Sequence, residues 1–192
     1  AALLAGISSV GGDVMPVGTI PTPAGAFLTV QQQADAGIVI SASHNPYAYN
    51  GIKVFNARGY KLSDEMEGRV EDLILNHAEL PAAVDGAVGR RHHGMPALHR
   101  AYVQQLLGSI DCDLPGLRVL VDCANGAASA TAPDLFRALP LQADFIHTEP
   151  DGVNINNGCG STHLESLAQG GGSGGDDLGI AFDGDADRCL LV

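Results

Sequence analysis

Two short strings combine residue types that can handle a phosphate and a metal ion. The first, SASHNPYAYNGIK, runs from Ser41 to Lys53 directly after an apolar run ending at Ile40. Ser43 presents a hydroxyl between the small Ala42 and His44, a side chain that carries protons near neutral pH. A serine hydroxyl is a weak nucleophile until a base or a metal activates it. Pro46 stiffens the loop and holds Asn45 in extended geometry. Asn50-Gly51 makes a tight turn that brings Lys53 back toward Ser43. The second string, DGDADR, spans Asp183 to Arg188 after the apolar run LGIAF. Its three carboxylates at alternate positions repel one another unless a cation joins them. Such hard oxygen ligands suit Mg²⁺, which keeps room for a phosphate oxygen. Arg188 adds a planar fork for that phosphate.

Each residue alone also fits an ordinary polar turn, and an isolated Asp-x-Asp-x-Asp is often only a solvated acidic turn. Two other metal or phosphate chemistries compete for DGDADR. An EF-hand loop requires Gly at its sixth position and Glu at its twelfth. Here the sixth is Arg188, and the chain ends before the twelfth. A haloacid-dehalogenase phosphatase also begins with a strand and Asp-x-Asp and would use Asp183 as nucleophile, but it usually continues with Thr or Val.

The elements around these strings alternate. Residues 1–9 form an apolar helical run that reads as a buried helix, and Gly11-Gly12 can end it in the left-handed conformation. A short strand is expected from Asp13 to about Val17. Thr22 before Pro23 reads as the N-cap of a helix through AGAFLTVQQQ. AGIVI reads as a strand buried on both faces of a parallel sheet. Ser63 caps a helix with Asp64 and Glu65 in its first turn and Met66, Val70, Leu73 and Ile74 on one face. Residues 78–95 lose this pattern and read as a linker, with the Arg90–His93 cluster as a solvated loop or a phosphate patch. A helix at 97–108, a strand at 117–122, a helix at 130–138, a strand at 141–147, a helix at 162–169 and a strand at 178–182 follow, with Ser161 or Thr162 capping the 162–169 helix and Glu165 as its N3 partner. The pattern predicts an α/β protein: two three-layer α/β/α domains with mixed, mainly parallel sheets, at 1–95 and 96–192.

SASHNP resembles the active-site loop of the α-D-phosphohexomutases, in which the second serine, Ser43 here, carries the phosphate. With Ser at position 41 and NGIK following, it is most similar to the phosphoglucosamine mutase branch. DGDADR resembles the magnesium loop of the same family. The resemblance implies Asp183, Asp185, Asp187 and a Ser43 phosphate oxygen as metal ligands and Arg188 as a phosphoserine contact. DGVNINNGCGSTHLESL at 151–167 resembles the segment that precedes that loop, and CGST at 159–162 favours the amino-sugar branch. VDCANGAAS at 121–129 resembles the turn that opens the second domain. The implied reaction converts glucosamine 6-phosphate to glucosamine 1-phosphate with Mg²⁺ and a hexosamine 1,6-bisphosphate intermediate. His44 or Lys53 is the implied general acid or base. A phosphomannomutase or phosphoglucomutase, and a non-catalytic magnesium-binding fragment, are the alternatives. The family has four domains, so domains III and IV and the start of domain I are expected partners missing from this chain.

Composition narrows the partners. Twenty-two acidic against ten basic residues give a formal charge of −12. That balance repels nucleic-acid backbones, while a small anionic phosphosugar depends only on the local site. No run approaches the ~20 apolar residues of a membrane span, so a soluble, cytoplasmic enzyme is expected. Cys112, Cys123, Cys159 and Cys189 form no CxxC pair, which argues against a zinc site and for free thiols. The run GGGSGG from Gly170 to Gly175 has the composition of a flexible linker, natural or engineered.

Overall fold

The computed structural model describes residues 1–112, 114–168 and 175–192. The glycine-rich run lies outside them apart from Gly175. The chain forms two compact units, residues 1–18 with 62–98, and residues 19–61 with 99–192.

In the first unit, α1 (Ala2–Ser9) stops as its two glycines predict. Gly11 takes a φ of +92°, and the N–H groups of Gly11 and Gly12 donate to the carbonyls of Ser8 and Ile7. This pairing is the Schellman arrangement that closes free helix carbonyls. No residue of α1 is buried, contrary to expectation. Apolar periodicity marks a face without specifying what covers it. The strand expected at 13–17 is reduced to one parallel bridge between Val14 and Arg91. Pro16 has no N–H to extend such a ladder. Helix α3 (Asp64–Leu75) is capped as expected, with Ser63 Oγ accepting from the Met66 N–H at 3.3 Å. Its apolar residues Met66, Val70, Leu73 and Ile74 are exposed.

In the second unit, α2 (Thr22–Gln31) lies against a hairpin of β1 (Ala36–Ser41) and β2 (Gly51–Asn56). Thr22 is not the N-cap. Pro21 holds that place, and the Thr22 hydroxyl serves elsewhere. β1 is also not a parallel strand buried on both faces, because it pairs antiparallel with β2, Ile40 opposite Ile52. The loop of residues 42–50 suits an antiparallel return, whereas a parallel crossover needs a dozen or more residues. One face of the hairpin packs on α2, where Gly25 and Gly37 allow close approach to Val39 and Thr29. The other face leaves Ile40 and Ile52 exposed.

The sheet that follows has the order β4-β3-β5-β6. Its strands are β3 (Arg118–Asp122), β4 (Gln142–Ile146), β5 (Leu178–Phe182) and β6 (Cys189–Leu191). β3 runs parallel to both β4 and β5, and β6 is antiparallel to β5. β3 is the apolar strand expected at 117–122, and it is buried on both faces. Val119 and Val121 pack with Phe136 of α5 (Ala132–Arg137), and Leu120 packs with Leu167 and Ala181. Each such side chain contributes about 1.5–3 kcal/mol. Helix α4 (Met95–Gly108) sets Tyr102 against Phe27, with ring centroids 6.0 Å apart. The helix expected at 162–169 begins at 165 in the described residues. A 3-10 turn takes Gly160–Thr162 first, so Thr162 does not cap it. No helix among the described residues is long and apolar enough to cross a membrane.

The chain leaves β3 toward β4 on one side and returns to β5 on the other. The connections after β3 and β5 therefore lead to opposite sides, and the loops that begin them lie side by side at the C-terminal strand ends, where open α/β sheets bind ligands. Gly126, in the first loop, presses on the backbone of Gly184 in the second, where a β-carbon would collide. Gly126→Ala is expected to destabilise the chain by about 1–3 kcal/mol in urea unfolding. Gly68→Ala, in α3 with open space around its β-carbon, is expected to stabilise it by roughly 0.5–1 kcal/mol.

Candidate active site

Both chemical strings meet within the second unit. DGDADR leaves β5 and turns at once, with Ala186 at a φ of +53°. An alanine pays about 1 kcal/mol for that conformation, within the turn that carries the three carboxylates. Oxygens of Asp183, Asp185 and Asp187 lie within 4.8 Å of one another. Asp183 and Asp185 are buried, at 0% and 3% exposure, and Asp187 is exposed.

Ser43 follows the end of β1 with a φ of +53°. The Ser41 hydroxyl accepts its N–H at 2.7 Å, which holds the turn. Its own Oγ lies 3.5 Å from Asp183 Oδ2, the outer limit of a hydrogen bond. Lys53 reaches the same cluster from β2, donating to Asp185 Oδ2 at 2.6 Å and Asp187 Oδ2 at 3.0 Å. The Arg188 N–H donates to Asp183 Oδ1 at 3.2 Å. The Arg188 guanidinium lies 3.0 Å from His44 Nδ1 and donates to it. Ser43, His44, Lys53, Asp183, Asp185, Asp187 and Arg188 therefore all converge.

Three further residues hold the site, and sequence reasoning gave them no such role. Thr22 donates its hydroxyl to Asp185 Oδ2 at 2.6 Å, and its N–H donates to the Asp185 carbonyl. Asn156 spans the two loops: its side-chain amide donates to the carbonyls of Ser43 and Asn45, each at 2.8 Å. Gly184 leaves room for that amide, because a β-carbon there would lie 2.6 Å from the Ser43 carbonyl and 2.7 Å from Asn156 Nδ2. Asp122, at the end of β3, accepts the N–H groups of Ala124 and Gly160 at 2.8 and 2.9 Å and so ties two loops together. PTP and NINN were visible as strings, but no spacing showed which partners they would meet.

The electrostatics fit a cation. Burial, then the charge of Asp185, pushes the Asp183 carboxyl above the usual range. Burial would also raise Asp185, but hydrogen bonds from Lys53 and Thr22 outweigh it and hold this carboxyl below its usual value. Burial opposes the Lys53 charge, yet its bonds to Asp185 and Asp187 keep its pKa above the ordinary value. Asp185 Oδ1 is buried and has no hydrogen-bond partner among the described residues. A hard divalent cation gives such an oxygen a partner and offsets the repulsion between the carboxylates. The all-oxygen donor set therefore fits Mg²⁺.

These opposite shifts predict opposite effects of neutralisation, read as thermal midpoints in chelator. The Asp183 charge costs stability as pH rises from about 3.8 through its raised folded pKa. Asp183→Asn is thus expected to stabilise the metal-free chain at pH 7 and to have no such benefit at pH 3. Asp185 contributes stability that is present above about 3.8 and lost as pH falls through its lowered folded pKa. Asp185→Asn leaves Lys53 with a weaker partner and is expected to cost about 1–3 kcal/mol at pH 7.

Comparison with known proteins bears on this geometry. Residues 1–80 match phosphoglucomutase/phosphomannomutase, alpha/beta/alpha domain I, and residues 100–192 match alpha/beta/alpha domain II. The chain is 52% identical over 193 residues to a phosphoglucosamine mutase of Clostridium novyi, covering 100% of this chain and 43% of that protein. It thus spans less than half the length of the curated relatives it matches. A phosphoglucomutase/phosphomannomutase family protein of Burkholderia thailandensis superposes with a TM-score of 0.78 at 30% identity, over 100% of this chain and 42% of that one. An Aspergillus fumigatus N-acetylphosphoglucosamine mutase, solved with GlcNAc-6P and magnesium, shares the fold at 19% identity and a TM-score of 0.54, over 96% of this chain and 47% of that one. The two matched domains together span most of the chain, and with them the Ser43 and DGDADR loops, so this protein belongs to the phosphoglucomutase/phosphomannomutase family.

Proposed function

We propose that the full-length protein interconverts glucosamine 6-phosphate and glucosamine 1-phosphate, with Ser43 carrying the phosphoryl group. The observation that carries this reading is the placement of Ser43 Oγ 3.5 Å from the Asp183 carboxylate, among Lys53, Arg188 and His44. The amino-sugar preference rests on identities of about half to curated phosphoglucosamine mutases. Glucose or mannose phosphate is the alternative substrate, supported by the Burkholderia thailandensis relative.

In the forward direction, phospho-Ser43 gives its phosphoryl group to a free hydroxyl of the bound sugar phosphate. The phosphorus–Oγ bond breaks, the phosphorus–sugar oxygen bond forms, and the hydroxyl proton passes to a base. The resulting bisphosphate turns over, and its other phosphate returns to Ser43, leaving the isomeric monophosphate. Asp183, Asp185 and Asp187 with a phosphoserine oxygen would hold Mg²⁺, which when bound draws charge from the transferring group. Arg188 lies beside His44 and supplies a fork for phosphate oxygens. Lys53, held as an ammonium, can give a proton but not take one. A neutral His44 ring that accepts from Arg188 at Nδ1 carries its proton on Nε2. Lys53 therefore suits the acid role, and the hydroxyl proton passes to His44 Nδ1, whose lone pair is freed when Arg188 turns its fork to a phosphate.

We place the domain boundary near Pro96, between the two matched stretches. Domains III and IV of the same enzyme would orient the sugar. Isomerisation by residues 1–192 alone is not expected, but phosphorylation of Ser43 is.

Intact mass with peptide mapping, after incubation with Mg²⁺ and a hexosamine bisphosphate, tests the assignment. A single added phosphoryl group on Ser43, absent from Ser43→Ala, is expected. Asp185→Asn is expected to slow labelling by about 10²-fold or more. Phosphate on another residue, or phosphate release that needs Asp183 and survives Ser43→Ala, would overturn the Ser43 role.

A further inference from the structure

A second cluster of metal-binding side chains lies in the same unit, built from three chain segments distant in sequence. Asp122 ends β3, His147 follows β4, and Cys159 opens the 3-10 turn at Gly160–Thr162. One ligand atom from each lies within 4.8 Å of the other two. Asp122 and Cys159 are fully buried, and the His147 side chain is 31% exposed. His147 Nδ1 is 3.0 Å from Asp122 Oδ2, yet the two are not aligned for a hydrogen bond. That leaves Nδ1 as a buried nitrogen without a hydrogen-bond partner among the described residues.

We propose that Asp122, His147 and Cys159 form a binding site for a borderline divalent cation, Zn²⁺ in preference to Mg²⁺. The donor set decides the metal. Thiolate sulfur and imidazole nitrogen select zinc-like ions, whereas Mg²⁺ takes oxygens. Tetrahedral coordination at the usual bond lengths separates ligand atoms by roughly 3.3–3.7 Å; here Asp122 and His147 are 3.0 Å apart and all three ligand atoms lie within 4.8 Å of one another. The carboxylate is pre-oriented by the N–H groups of Ala124 and Gly160, the kind of outer support metal ligands need. The Asn125 amide, 3.9 Å from Cys159 Sγ, plays the same part for the sulfur. Three protein ligands leave a fourth position for water, and the partly exposed His147 gives the ion a route in.

Burial and the neighbouring Asp122 charge push the Cys159 thiol up to about 11, so it is protonated without metal. Binding must expel that proton as the sulfur–metal bond forms, and no electrons change hands. The sequence offered no zinc signature because the ligands come from three segments rather than a local CxxC. Cys159 is three residues from Asn156, whose amide holds the Ser43 loop, so an ion here would brace the segment that positions the phosphate acceptor.

Co²⁺ is the probe, titrated into the reduced chain with Mg²⁺ in excess to occupy the all-oxygen cluster. The expected result is a near-ultraviolet thiolate-to-cobalt charge-transfer band that saturates at a single equivalent and is abolished by Zn²⁺. Cys159→Ser is expected to abolish the band, and His147→Ala to weaken binding by roughly 10-fold or more. Cys189→Ser and Cys112→Ser, which remove exposed thiols, are expected to leave it. His147→Ala keeps the test open if the buried Cys159 variant does not fold. No band in the folded chain, or a band indifferent to His147→Ala, would overturn the proposal.

Discussion

Three carboxylates within 4.8 Å on one turn repel one another, and two of them are buried where water cannot screen the repulsion. Everything around the DGDADR loop is arranged to offset that cost. Lys53 brings an ammonium from β2, Thr22 a hydroxyl from the start of α2, and Arg188 a backbone N–H from the loop's own end. Asp185 receives most of this support and ionises readily, while Asp183 receives less and resists ionisation. The loop is thus poised for a divalent cation. It keeps one buried oxygen, Asp185 Oδ1, for which these residues provide no donor.

That arrangement requires loops from different strands to approach at backbone distance. Asn156 is the bridge, since one side chain satisfies two carbonyls of the Ser43 loop while its N–H donates to Ala124 after β3. Gly126 and Gly184 permit the approach because neither carries a β-carbon. Ser43, Ala124, Asn125, Asn156 and Ala186 all sit in left-handed backbone conformations, at about 1–3 kcal/mol each. The strain is concentrated where the strand ends converge. The well-packed strand β3 and its neighbours supply the stability that sustains it.

The chemistry was legible in the sequence where it is written in contiguous strings. SASHNP and DGDADR each keep their functional groups within six residues, and both appear at strand ends as expected. The supporting residues were not legible. Thr22 is 163 positions from Asp185, and Asn156 is 113 from Ser43, so no local period relates them. Thr22 even carried a strong local signal for a different role, an N-cap before proline, which its long-range bond to Asp185 overrode. The apolar run read as a strand at 117–122 is β3, and it is buried on both faces. The similar run of β1 is not, and composition cannot tell a central strand from a hairpin with one face packed. Apolar α1 and the apolar face of α3 carry the same ambiguity: Leu3, Leu4 and Ile7 are half-buried, and the α3 face is exposed.

The central claim is that the Ser43 loop and the carboxylate loop form one site for a phosphoryl group and a metal ion. Phosphorus NMR of the chain phosphorylated at Ser43, titrated with paramagnetic Mn²⁺, tests it most directly. The account predicts that the phosphoserine resonance broadens as the first equivalent binds. The broadening should be lost when Asp185 and Asp187 are both changed to Asn. A resonance that stays sharp while Mn²⁺ is bound to the carboxylates would show that the phosphate and the metal occupy separate places, and would contradict the account.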